Sequence, residues 1–294
     1  MKHIFVLMAF FMVEAILSAP EIVSDKPWRE NFSKSKSKFF NYNSTGTKEK
    51  WKSKMGVKSS TEPGSKILSF KINPADAAGP GKGPEIVSKE FTHFGTYSTR
   101  LKIPDVRNSQ PNVGAVVGFF TYHENPKEGL SEIDFEWLLA DPHIIYVGTW
   151  TGHSGNLRRI GRIINMSTGE VLETITRINH DGISTPLTGQ QDFPKKIKPI
   201  ADFDAAKNFY SYGFDWSADR IKWWIIDPVS GEKIVLWDYS GTKEGIPQHK
   251  STFRMNFWHT KDWAVAGNPN SLEKPEYPFE LEVDWMGYEP SGTK

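Results

Sequence analysis

Residues 131–138 read SEIDFEWL, Ser131 through Leu138. Acidic and apolar side chains alternate without interruption, which predicts a β-strand, because successive side chains of an extended chain point to opposite faces. Glu132, Asp134 and Glu136 then share one face, and Ile133, Phe135 and Trp137 share the other. The apolar three anchor the strand in a core. The acidic three stand in a row, about 6.6 Å apart at the backbone. For stability alone this is a poor arrangement, since neighbouring like charges oppose each other's ionisation.

Carboxyl groups held together in this way suit the cleavage of glycosidic bonds. A retaining glycosidase uses one carboxylate as nucleophile and one carboxylic acid as proton donor, about 5–5.5 Å apart. Glu132 and Glu136 are separated by about 13 Å of backbone rise on an ideal strand, so their side chains must lean together on a curved sheet. Asp134 between them can hydrogen-bond one partner and help separate their proton affinities. Two plainer readings stand beside this one: an exposed strand whose outer face is merely acidic, and an acidic face for calcium. A strand spreads its ligands along a line rather than around an ion, which disfavours calcium.

On both sides of this strand the texture is the same. Short β-type runs recur between Gly, Pro, Asn and Asp: KILSFKI, GTYSTRLKI, GAVVGFFTY, HIIYVGTW, FYSYGFDW, RIKWWIID, EKIVLWDY, STFRMNFWH and FELEVDWMGY. Runs of this length and spacing predict an all-β sandwich or barrel of antiparallel strands. Residues 20–60 read as a polar, Lys- and Ser-rich mobile leader with a first irregular strand or two, and 61–290 as the main domain. One stretch breaks the spacing. From Leu157 to Phe203 the chain is polar and punctuated by Gly161, Gly169, Gly182, Pro186, Gly189, Pro194 and Pro199, which predicts a long loop.

The 294 residues carry 36 basic and 35 acidic side chains, a net charge of +1, which gives no long-range field to recruit nucleic acid or an anionic membrane. The partner is expected to be uncharged, or recognised by shape and hydrogen bonding. With no cysteine, thiolate metal sites and cysteine nucleophiles are excluded. The scattered histidines His143, His153, His180, His249 and His259 show no metal-ligand spacing, and no Gly-rich phosphate loop is present. The start, MKHIFVLMAFFMVEAILSAP, has a basic beginning, an apolar stretch and a small-residue end at Ser18-Ala19. It reads as a secretory signal over residues 1–19. The alternative is a membrane anchor, for which it is short. A secreted monomer, free of the membrane once the signal is removed, is the expectation.

SEIDFEWL resembles the signature of glycoside hydrolase family 16, in its form without an extra bulge residue, as in bacterial lichenases and the plant xyloglucan-active branch. The resemblance spans about 200 residues. It includes FTHFGTYSTRLKIPD (Phe91–Asp105), GAVVGFFTY (Gly114–Tyr122), DFDAAKNFYSYGFDWSADRIKWWIID (Asp202–Asp227), RMNFWH (Arg254–His259), KDW (Lys261–Trp263) and FELEVDWMGY (Phe279–Tyr288). It implies a concanavalin-like β-jelly-roll of two curved antiparallel sheets with an open cleft on the concave face. The implied activity is internal cleavage of a β-glucan, mixed-linkage 1,3-1,4 or 1,3, with no required cofactor. Carried over by position, Glu132 is the nucleophile, Glu136 the acid/base and Asp134 the assisting acid.

The same resemblance places Glu85, Trp150, Asn256 and Trp258 along the sugar-binding cleft, with core packing as an equal alternative for Trp258. Asp284 matches a calcium-ligand position on the convex face. Val87 replaces a sugar-contacting Arg, Leu130 a Trp, and Gly148 and Trp150 an Asn and a Tyr, so substrate preference is open. The 157–203 stretch exceeds its lichenase counterpart by several dozen residues and is placed to wall one end of the cleft. Two rival functions use the same scaffold: a transglycosylase, in which a sugar hydroxyl replaces water, and a glucan-binding jelly roll without activity.

Overall fold

A computed structural model describes residues 22–43, 54–79, 82–240, 245–260, 263 and 270–292. The segment read as a signal, residues 1–19, lies outside the described residues. In chain order the strands are β1 (Trp28–Glu30), β2 (Phe40–Asn43), β3 (Lys54–Lys58), β4 (Lys66–Ile72), β5 (Glu85–Thr92) and β6 (Gly95–Lys102). Then come β7 (Ala115–Asn125), β8 (Gly129–Leu138), β9 (Ile144–His153), β10 (Asn156–Asn165), β11 (Glu170–Ile178) and β12 (Thr185–Pro186). The last are β13 (Tyr210–Ser217), β14 (Arg220–Ile226), β15 (Lys233–Tyr239), β16 (Ser251–His259) and β17 (Phe279–Pro290).

They form two antiparallel sheets. One runs β15-β14-β13-β6-β17-β4-β3, with β1 also on β17, and the other runs β12-β11-β10-β9-β8-β7-β16-β5-β2. The expected all-β sandwich of two layers is therefore the observed one. The alternation read in SEIDFEWL holds: Ile133, Phe135 and Trp137 are fully buried between the sheets, with the acids on the outer face of β8. β8 pairs with β7 and with β9 in unbroken register, so it carries no bulge. The interlayer core is rich in rings. Phe135 stacks on Trp137 at 4.9 Å, Trp137 meets the edge of Tyr212 at 4.7 Å, and Tyr97 stacks on Phe214 at 4.8 Å. Offset and edge contacts of this kind add to the large apolar area each ring removes from water.

Two readings of the sequence change. Residues from 22 onward are not a loose leader. β1 adds to β17 and β2 to β5, and Phe32 and Phe40 lie buried in the common core with Trp28 stacked on Phe39 at 4.8 Å. A few large apolar residues among many Lys and Ser suffice to fix such a segment.

The 157–203 stretch is not a loop over most of its first half. β10 and β11 form a long hairpin that extends the nine-stranded sheet beyond β9. The chain then returns through a short 3₁₀ turn, Gly189–Asp192, where the Gln191 carbonyl accepts a 2.9 Å hydrogen bond from Trp237 Nε1 on the opposite sheet. The strand pattern was disguised by arginine. Arg162 occupies an inward position with 1% exposure, packs its guanidinium 5.1 Å from the Trp237 ring, and donates to Thr174 Oγ1 and the Leu236 carbonyl.

Candidate active site

The outer face of β8 is flanked strand by strand, and register fixes what lies beside each acid. Directly cross-strand residues share a face. Beside Glu132 stand Trp150 on β9 and Tyr122 on β7, with Arg159 next to Trp150 on β10 and Arg177 next to Arg159 on β11. Beside Asp134 stand Gly148 and Phe120, followed outward by Gly161 on one side and Arg254 on the other. Beside Glu136 stand Tyr146 and Gly118, followed by Ile163 and, across Gly118, by Asn256 and Glu85. The three carboxyls thus lie in one row on a single face of the sheet, with Gly148 and Gly161 in the lane beside Asp134.

Gly148 is glycine for a packing reason. A Cβ there would come 2.4 Å from the Ile160 carbonyl oxygen, because β9 and β10 approach closely at this point.

All three acids have raised proton affinities. Burial pushes Glu132 up to about 8, with the neighbouring Glu136 charge adding to it and Arg254 and Arg159 opposing it. Burial raises Asp134 well above its ordinary range, reinforced by Glu132 and Glu136, and its proton serves a hydrogen bond with Glu132. Burial also raises Glu136, and Arg159 opposes the rise. The row therefore retains protons at pH values where ordinary carboxyls are fully ionised. The titration belongs to the group rather than to one residue. Arg159 acts on every member.

Second-layer contacts pin the acidic strand. Trp223 Nε1 on the opposite sheet donates to the Asp134 carbonyl at 3.1 Å. Ser131 Oγ accepts the backbone N–H groups of Gln248 and His249, each at 3.2 Å. On the neighbouring strand, Thr149 Oγ1 donates to the Gly245 carbonyl at 2.8 Å.

The remaining residues expected along the cleft divide. Asn256 lies on the cleft face, with its Oδ1 buried, making no hydrogen bond, and filling the space above Gly118 toward Glu136. An orphaned acceptor of this kind is suited to a ligand hydroxyl. Glu85 is also there, but its Oε1 is engaged at 3.3 Å by Arg254 Nη1. Trp150 is on the cleft face yet only 7% exposed, packed with Leu130 and Leu157 and covered by His180, Arg159 and Arg177. Trp258, 8% exposed, packs with Val116, Leu138, Ile144 and Tyr146 in an apolar cluster on the same face. Packing, the alternative weighed for it, is its observed environment. Trp263 meets the edge of Tyr146 at 4.6 Å and extends the cluster.

Asp284, on β17, is engaged by two side chains. Its Oδ2 pairs with Arg100 Nη1 at 2.7 Å and its Oδ1 accepts from Ser65. A guanidinium already supplies the positive charge, and among the described residues no His, Asp and Glu group of three is arranged for a metal.

Two residues were missed in the sequence. Arg254 lies two positions before Asn256 and so on its face, a signal that strand alternation contained. Arg159 had no such signal, being one of two adjacent arginines that point to opposite faces.

Residues 184–287 match the model of "Glycosyl hydrolases family 16", a match that does not extend back to the acidic strand. A "Beta-glucanase" of Acetivibrio thermocellus is 26% identical over 221 residues, 73% of this chain and 48% of that protein. A solved lichenase, a prokaryotic β-1,3-1,4-glucanase from a mouse hindgut metagenome, superposes with TM-score 0.53 at 19% identity, covering 90% of this chain and 99% of that one.

The chain is similar to glycosyl hydrolases family 16.

The two-sheet jelly roll of that lichenase is thus its fold, with the acidic row on the sheet that carries β8. The same fold is found in the Crh5 transglycosylase, at TM-score 0.51 and 15% identity over 92% of this chain and 87% of that one. The chain spans about half to three fifths of the length of the curated relatives it matches.

Proposed function

We propose that this protein is a retaining endo-β-glucanase that cleaves internal β-glucosidic bonds of a 1,3-1,4- or 1,3-β-glucan. The observation that carries the reading is the row Glu132, Asp134 and Glu136 on one side of a single strand, with raised proton affinities. A carboxylic acid whose proton affinity is raised, as burial raises that of Glu136, suits protonation of a departing glycosidic oxygen.

In the first step Glu136 gives its proton to the glycosidic oxygen as the bond to the anomeric carbon breaks. Glu132, in the fraction that has released its proton to solvent, attacks that carbon as a carboxylate from the opposite side and forms a glycosyl ester. In the second step water attacks the same carbon, Glu136 takes the water proton, and Glu132 leaves as a carboxylate, so configuration is retained. Protonated Asp134 donates to Glu132 and steadies its charge when it leaves. Arg159 and Arg254 supply positive potential that favours ionised Glu132 during attack. Asn256 receives a sugar hydroxyl on its orphaned oxygen. The N-terminal segment supports export, which brings such an enzyme to a polysaccharide outside the cell.

The test is a panel of purified β-glycans, with released oligosaccharides identified by size and linkage and the anomer formed first followed by NMR. Release of short oligosaccharides from mixed-linkage or 1,3-β-glucan, as the β-anomer, supports the reading. Release of the α-anomer, or no release from any β-glucan by the folded protein, overturns it.

A further inference from the structure

The cleft face carries a second feature that the proposed chemistry does not require. Arg159 on β10 and Arg177 on β11 face each other directly across the hairpin. Like charges placed opposite one another destabilise a sheet. Neither guanidinium makes an ion pair or hydrogen bond with any described residue, and the Nε of each is buried and unbonded. Both converge instead on one ring, with guanidinium carbons 5.7 Å (Arg159) and 5.1 Å (Arg177) from the centre of Trp150. His180 covers the same indole at 4.4 Å. The acidic row reaches Arg159, whereas burial and the Arg159 charge both lower the proton affinity of Arg177. Glu124 accepts the Tyr122 hydroxyl at 2.5 Å.

Arg159 has an evident task, since its field reaches all three acids of the row. Arg177 has none of that kind, and it sits three strands from Glu132, about 14 Å along the line that crosses the strands. A polysaccharide lying across these strands would pass over Trp150 and reach the two guanidinium groups within a few sugar units.

We propose that Arg177, with Arg159, forms a subsite for an anionic substituent of the glycan, a carboxylate or a sulfate ester, on the side of the cleft built by β9, β10 and β11. The inference rests on the reading of this face as a glycan cleft and adds the charge of the substrate to it. Guanidinium groups suit the planar or tetrahedral oxyanions of both substituents through paired N–H donors. Arg177 belongs to β11, so the preference would be a property of that strand.

The experiment uses full-length Glu132→Gln protein, titrated with three β-glucan oligosaccharides of one length: neutral, carboxylated and sulfated. The expected result is that one of the charged oligosaccharides binds about 10- to 100-fold more tightly than the neutral one. Arg177→Gln should abolish that difference with neutral binding unchanged, and Arg177→Lys should restore part of it. Whichever charged form gains more identifies the substituent. Equal binding of all three by the parent, or an equal loss for all three on Arg177→Gln, overturns the subsite. The two levels fail separately. Discrimination in binding without turnover of any glycan sinks only the hydrolase reading, whereas turnover of neutral glucan without discrimination sinks only the subsite.

Discussion

The indole Nε1 of Trp223 donates a 3.1 Å hydrogen bond through the core to the backbone carbonyl of Asp134, tying the opposite sheet to the middle of the acidic strand. Trp223 itself is fully buried and stacked on Trp237 at 5.3 Å. Trp223→Phe keeps most of the ring packing and removes the donor. It should cost about 1–3 kcal/mol of stability in urea denaturation, and kcat should fall with it. Unchanged stability would show that the contact is incidental.

Glu132→Gln and Glu136→Gln should each lower kcat on β-glucan by at least about 10²-fold without unfolding the protein. Far-UV circular dichroism alongside product release checks both halves. Either variant turning over at the parent rate removes that residue from its assigned role.

The same substitution at Glu132 should stabilise the fold at alkaline pH. Folded Glu132 holds its proton up to about 8, against an ordinary value of 4.5. Between those values the folded state binds more protons than the unfolded chain, so stability falls as pH rises through the window. Below about pH 4.5 both states are protonated and the penalty is absent. Glu132→Gln should therefore melt about 2–4 °C above the parent at pH 8, with the gain shrinking toward pH 4. Melting curves at four pH values test it, and a gain that grows toward acid would contradict the sign.

Arg159 depresses the proton affinity of all three acids. Arg159→Gln should accordingly move the alkaline limb of the kcat/KM profile to higher pH, by up to about one unit for one lost neighbouring charge. A pH profile of parent and variant on the same glucan decides this, and a limb that stays put or moves down refutes it.

Gly148→Ala places a methyl group where the Ile160 carbonyl stands at 2.4 Å, a backbone atom that cannot swing aside. Separation of β9 from β10 should cost about 2 kcal/mol or more, and it should displace the wall beside Asp134. Denaturation midpoints and kcat report the two effects. Gly161→Ala, whose nearest neighbour would be Arg159 Nε at 3.5 Å, serves as the mild control.

Much of the site was legible because a strand has a period of two. In SEIDFEWL that period alone put Glu132, Asp134 and Glu136 on one side, and the apolar partners confirmed which side faced the core. The hairpin β10–β11 was illegible for the converse reason. In NLRRIGRIIN the polar and apolar positions do not separate, because Arg158 and Arg159 are adjacent and Arg162 points into the core. Trp150 and Trp258 share the face of the acidic row, but their near-complete burial depends on Leu130, Leu157, Val116 and Leu138, brought there by other strands.

The sequence by itself determined the strand content, the two-layer class and the shared face of three carboxyls, since these follow from local alternation of side chains along an extended backbone. Only the tertiary structure decided their environment: the neutralisation of Asp284 by Arg100, the glycine lane beside Asp134, and the unpaired arginines two and three strands from Glu132. Those relationships arise from strand order and register across the sheet. Nothing in the one-dimensional pattern of any single strand specifies its neighbours.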